Sequence, residues 1–376
     1  MKRHEAVATE ISSPYSAAAA VHAAEEIRRS LGRPARVAFT FVSPDYIPHL
    51  GELCEILRVD GHITDVVGCT AGGRIFGDRG IESGSGCAVL ALDCDAEDPV
   101  MISDGEAPRF EFDPNAFVAL INPHETQADE WIQGWNASFP RVPCVGGLAS
   151  GGDEDQVAVF LNGETGPGVV LPLKGATTIL PVVSQGCRPI GEPLTVTRAE
   201  HNVLYALGGQ PAYHALESAF QSLSDSEKSN ARGNLFAGIA GTEYIDDFKP
   251  GDFLIRNIIG ADPDSGAVVI GAIPRIGQTL QYQLRDRSVA QEDLARALSA
   301  GRIPGRRPFA SLVFSCLGRG EKFFGSSGHD AGQIFESTKG KSSIGFFGNG
   351  EIGPVAGRNA LHTYTASAAI WVEKEV

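Results

Sequence analysis

Val142-Pro-Cys-Val-Gly-Gly-Leu-Ala-Ser-Gly-Gly152 is the stretch on which the fold of this chain is decided. It runs from a short apolar strand, Val142–Val145, into a glycine-dense turn, Gly146–Gly152. Ahead of it stand an apolar strand at Ala116–Ile121 and a helical pattern at Thr126–Trp135; behind it come strands at Gln156–Leu161 and Gly168–Leu173. The same order occurs earlier, with strand Ala35–Ser43, helix Asp45–Leu57, strand Ile63–Cys69, turn Gly68–Gly73 and strand Gly86–Cys94. It occurs again near the end, with strand Phe309–Ser315, helix His329–Thr338, strand Ser343–Phe347, turn Gly348–Gly353 and strand Leu361–Val372. The spacing predicts an internal pseudo-repeat of strand–helix–strand–Gly turn–strand. A helix between two strands of one sheet makes them parallel, and the strand after the turn is expected to return antiparallel. The fold class is therefore α+β (mixed α/β), with mixed sheets and packed helices in two tightly associated domains.

Length and composition agree. A chain of 376 residues suggests two domains at about 150 residues each. The segmentation expected is an N-terminal helix in 1–34, one domain in 35–228 and a second in 229–376, with the polar stretch Ser224–Arg232 as linker. Lys plus Arg number 31 against 46 Asp plus Glu, a formal charge of −15, which argues against nucleic acid or an anionic membrane as partner. The 45 glycines, without a G-X-Y period and with only 22 prolines, must serve defined backbone positions. Seven scattered cysteines with no C-x-x-C suggest neither disulfides nor structural zinc. With no signal-peptide pattern and no apolar run of the ~18 residues needed to span a membrane, the chain reads as cytoplasmic.

Catalytic and nucleotide motifs give little. Gly348-x-Gly350-x-x-Gly353 spells a dinucleotide fingerprint, but Pro354 and Gly357 stand where a helix should open, so it is rejected. What remains is polar residues gathered at strand ends beside the glycine turns, where open mixed sheets place ligands: Ser43 and Tyr46, Cys69 and Thr70, Cys316 and Arg319, Asn349 and Glu351, His362 and Tyr364. Arg319 either clamps a ligand carboxylate or pairs with Glu351. Cys316 is a small apolar filler or a nucleophile, and His362 a hydrogen-bonded structural residue or a ligand to haem iron. His329-Asp330 is expected to cap a helix.

Phe39–Tyr46 (FTFVSPDY), Val66–Gly73 (VVGCTAGG), Phe314–Gly320 (FSCLGRG), Ile344–Pro354 (IGFFGNGEIGP) and Asn359–Thr365 (NALHTYT) together resemble the FIST family, whose chains join a FIST N and a FIST C domain. The resemblance covers roughly residues 36–372 and assigns 35–228 to the first domain and 229–376 to the second. It implies a sensory module for a small ligand, amino acids among them, with Cys316, Arg319, Glu351 and His362 on motif positions. It also implies two rivals: a haem-based nitric-oxide sensor using His362, and, from the residues alone, an enzyme using Cys316 beside His362. No kinase, receiver or F-box segment accompanies it, so output is expected through a separate signalling protein; homo-oligomerisation stays open.

Overall fold

The protein is described by a computed structural model covering residues 3–102, 108–242, 248, 251–300 and 305–374. The chain divides into two compact units. One takes the residues up to Val183 and from Leu294 onward; the other is the continuous segment Ser184–Asp293, inserted into the first along the chain. Ser224–Arg232, expected as a linker, lies inside the second unit. There Asp225–Asn230 forms a short helix because Ser224 and Glu227 cap each other's backbone N–H groups.

The first unit confirms the mixed α/β class and the pseudo-repeat. In each repeat two strands run parallel across a helix: Ala35–Val42 with Ile63–Thr70, Ala116–Ile121 with Cys144–Leu148, and Arg306–Cys316 with Ser342–Gly348. The crossover helices are Leu50–Val59, Ala128–Ser138 and His329–Ser337. A third strand then returns antiparallel on the first: Cys87–Asp93, Gly168–Leu173 and Ala366–Lys374.

Between the second and third strands each repeat sends out a hairpin, and none of the three stays at home. The hairpin Arg74–Phe76/Arg79–Ile81 of the first repeat joins Ser342–Gly348 of the third. That of the second, Val159–Leu161/Glu164–Gly166, joins Ile63–Thr70 of the first. That of the third, Gly350–Val355/Arg358–His362, joins Cys144–Leu148 of the second. The exchange is cyclic, so every sheet is completed by a neighbour.

The inner faces share one core that includes Phe39, Leu120, Phe314, Phe346 and Trp371. Phe41 meets Phe346 at 4.8 Å and Phe39 meets Trp371 at 6.0 Å between ring centroids. Strands lying between this core and a layer of helices are buried on both faces, which is why they read as unbroken apolar runs rather than alternating ones.

Part of the glycine excess has a different cause from turn-making. Gly146 and Gly345 lie within second strands, and a Cβ there would stand 1.8 Å from the Ala119 carbonyl oxygen and 1.9 Å from that of Val313. The turns are thus narrower than expected, since Gly146–Leu148 belong to a strand and Gly350–Gly353 to another. The three turns meet. Gly72 N–H donates to Ser150 Oγ at 2.9 Å, and Ser150 Oγ donates to the Phe347 carbonyl at 2.6 Å. Asn349 Nδ2 donates to the Ala149 carbonyl at 3.1 Å.

The second unit is an antiparallel sheet that closes on itself, because Thr279–Arg285 pairs with Leu194–Glu200 at the start of a run of strands and with Leu235–Ala240 at its end. The helix Ala212–Gln221 contributes Ala215, Leu216 and Ala219 to its core beside Leu204, Val268 and Leu280.

Candidate functional site

The polar residues at the strand ends are brought to the region of the three turns, but most are buried and already satisfied. Ser43 Oγ donates to Asp45 at 2.5 Å and receives Gly86 N–H at 2.8 Å. Tyr46, fully buried, donates its hydroxyl to the Ser13 carbonyl. Thr70 Oγ1 receives Ala158 N–H at 3.0 Å, and burial pushes the Cys69 thiol well above its ordinary pKa, so it is inert. Asn349 is exposed, though its amide is held by Ala149.

Arg319 does not pair with Glu351 in the manner expected. It is 1 % exposed, and its Nε and Nη2 grip the two oxygens of Asp330 at 2.8 and 2.9 Å, a bidentate bridge between a one-turn helix and the first turn of His329–Ser337. Ser315 Oγ also donates to Asp330, at 2.7 Å. Burial opposes an ionised Asp330, but the Arg319 guanidinium, with His329 and Ser315 beside it, holds the carboxyl well below the usual range. Arg319 reaches the Tyr364 carbonyl at 3.4 Å and lies over the Phe324 ring. Tyr364 itself adopts φ 57°, the left-handed region. The arginine is therefore a strut rather than an open anion clamp.

Glu351 is fully buried opposite His362 in the strand register. Its Oε2 receives Thr365 N–H at 3.3 Å, while Oε1 has no hydrogen-bonding partner among the described residues. Burial raises its pKa well above the usual carboxyl range, outweighing the Thr365 N–H and Arg319, and so favours the protonated form. The Cys316 thiol bonds to this carboxyl, and of the seven free cysteines Cys316 alone is partly exposed.

Haem does not fit at His362. The imidazole is 1 % exposed at the end of the edge strand Arg358–His362, with Nε2 3.0 Å from the Gly353 carbonyl oxygen, so neither a macrocycle's approach nor a free ligating nitrogen at Nε2 is offered there.

An open cleft lies elsewhere, on the outer face of the middle sheet. A cleft of about 1300 Å³ runs between the helix Ala128–Ser138 and the segment 108–114. Trp131 and Trp135 on that helix and Phe139 just past its end, spaced four residues apart, line one side; Phe110 and Phe112 line the other. Trp131 and Trp135 stack at 4.9 Å and 26°, Trp135 meets Phe139 at 4.9 Å, and Phe110 meets Phe139 at 5.6 Å. Trp135 is buried and its Nε1–H has no acceptor among the described residues. Arg109, Asp113 and Glu130 stand exposed around the mouth. Such a cleft offers flat apolar faces, a spare donor and a charged rim, the make-up of a small-molecule site. The sequence reading found the helix but not the cleft; the signal available was the Trp131/Trp135/Phe139 stripe at helical spacing.

Residues 36–210 match the family model of the FIST N domain, and residues 212–354 that of the FIST C domain. Over 372 residues the chain is 37 % identical to an uncharacterized protein of Mycobacterium tuberculosis, covering 95 % of this chain and 96 % of that one. It is 34 % identical over 385 residues to an uncharacterized protein of Mycobacterium bovis, covering 96 % and 97 %.

Proposed function

Because the chain belongs to the FIST family, whose domains are sensory domains in signal transduction, we propose that it is a small-ligand sensor that relays to a separate signalling protein. The observation that carries this reading is the aromatic cleft beside Ala128–Ser138. A ligand with a flat apolar body stacks on Trp131, and an amino-acid-like head meets Arg109 through its carboxylate and Asp113 or Glu130 through its amine. Arg319 and Glu351 hold the frame on which the cleft is built and do not touch the ligand. A cytoplasmic setting is supported by seven thiols, all free. The chain has no helix, among the described residues, long and apolar enough to cross a membrane.

The test is a tryptophan-emission and calorimetric titration with the protein amino acids. At least one aromatic amino acid should quench the emission and release or absorb heat, and Trp131→Ala should weaken it about tenfold, the loss typical of a central aromatic contact. No spectral change and no heat with any of them would end the reading.

A further inference from the structure

The pseudo-repeat lets equivalent positions be compared across three copies, and at two of them the third copy departs from its sisters. One is the residue that leaves the first strand. Ser43, Asn122 and Cys316 donate a backbone N–H to the carbonyl just ahead of the returning strand, that of Gly86, Pro167 and Thr365, at 2.9, 2.9 and 3.0 Å. In the first two copies the side chain then caps the turn. Ser43 Oγ receives Gly86 N–H at 2.8 Å, and Asn122 Oδ1 receives His124 N–H at 3.1 Å. Cys316 makes no capping hydrogen bond, sulfur being a weak acceptor, and its thiol bonds to the Glu351 carboxyl instead.

The other is where each exchanged hairpin meets its host strand. Arg74, Val159 and Glu351 pair there with Phe346, Cys69 and Gly147. These hosts are equivalent, since they lie opposite Phe314, Phe41 and Leu120 in the three parallel registers. Val159, fully buried, shows that the fold accepts an apolar side chain at this point. Glu351 is equally buried but carries a carboxyl, and its Oε1 has no hydrogen-bonding partner among the described residues. An unpaired buried oxygen costs about 1–3 kcal/mol, which calls for a role other than packing. The two departures touch: a thiol stands where the fold supports a cap, against a carboxyl where it supports a valine.

We propose that Cys316 is a hydroperoxide-reactive thiol and that Glu351 carries its protons. Cys316 is partly exposed whereas the other six cysteines are buried, and the buried Arg319 guanidinium acts on it electrostatically. Attack of the sulfur on one peroxide oxygen forms an S–O bond and breaks the O–O bond, so that sulfur is oxidised and the peroxide reduced. The thiol proton passes to the Glu351 carboxyl, whose Oε1 is unpartnered. The proton that burial favours on this carboxyl goes to the departing oxygen, which leaves as water or, from an organic hydroperoxide, as an alcohol. The sulfenic acid left on Cys316 is reduced by a thiol from outside the chain, since the remaining cysteines are buried. The inference is independent of the aromatic cleft.

The test treats the full chain with an equimolar amount of hydrogen peroxide in the presence of dimedone, which traps sulfenic acids, and locates the adduct by mass spectrometry. The expected adduct is on Cys316 and on none of the buried cysteines. It is lost in Cys316→Ser, which keeps its fold because serine caps the same position in the first copy. Glu351→Gln separates proton transfer from mere support. It should slow dimedone capture at least about tenfold more than it slows alkylation of Cys316 by iodoacetamide, whose iodide leaves without a proton. No adduct on Cys316 in the unmutated chain, or adducts spread evenly over the buried cysteines, overturns the proposal. Equal slowing of both reactions in Glu351→Gln overturns the part given to the carboxyl.

Discussion

The Arg319–Asp330–Glu351 cluster and the aromatic cleft divide between them the two qualities expected of a binding site. The cluster has charge, hydrogen-bonding specificity and motif residues, yet its charges face one another and it is closed to solvent. The cleft has room and exposed rings, with charges only at its mouth. The difference teaches that a buried ion pair reports on architecture, because its partners must be satisfied internally, whereas unsatisfied apolar surface reports on what binds.

Breaking the cluster should give the largest effect. Asp330→Ala leaves the Arg319 guanidinium buried and unpaired, and should cost about 3–5 kcal/mol in a denaturant titration. Asp330→Leu with Arg319→Met should recover most of that loss, since a well-packed apolar pair replaces a buried ionic one at little cost. A double variant as unstable as the single one would mean that the cluster has a role beyond packing.

The cleft should behave in the opposite way. Trp131→Ala should remove about 1.4 kcal/mol of ligand binding, a factor of ten, while the loss of its stacking on Trp135 costs unfolding about 0.5–1.5 kcal/mol, well below the loss from breaking the cluster. A large loss of stability would show that the rings are core and erase the contrast.

Acid and alkali sharpen the comparison with smaller effects. The folded pKa of Asp330 is depressed, so its stabilisation is complete above the usual Asp range near ~4 and is lost as pH falls further. The folded pKa of Glu351 is raised, so its contribution is complete below ~4 and is lost as pH climbs through the folded value. Glu351→Gln should therefore gain stability relative to the wild type as pH rises above ~4, seen as a diverging melting temperature; parallel curves would mean that Glu351 is ionised in the fold. Arg109→Ala at the rim should have the least effect, about 0.3–1 kcal/mol of ligand affinity and none on folding.

The pseudo-repeat was legible because parallel crossovers and glycines at close strand contacts impose the same local pattern three times. The hairpin exchange was not, because a strand carries no mark of which edge it will pair with; Arg74–Phe76 would alternate in the same way on its own sheet. Asp330 was read as a helix cap, since nothing local shows that Arg319, eleven residues earlier, turns back onto it. The cleft was missed for a related reason. A stripe of Trp131, Trp135 and Phe139 announces an apolar face, and only the comparison with the helix-covered faces of the other two repeats shows that no helix among the described residues covers this one.

The cyclic exchange of hairpins also sets a timetable for synthesis. The first repeat emerges from the ribosome with the hairpin Arg74–Phe76/Arg79–Ile81 unable to find Ser342–Gly348, more than two hundred and fifty residues downstream. Its own edge at Ile63–Thr70 is covered sooner, by Val159–Leu161. The middle sheet waits for Gly350–Val355, which again lies beyond the inserted second unit. The ring of sheets can close only when translation is nearly over, and a nascent chain stalled before residue 342 would expose two unpaired strand edges to its neighbours.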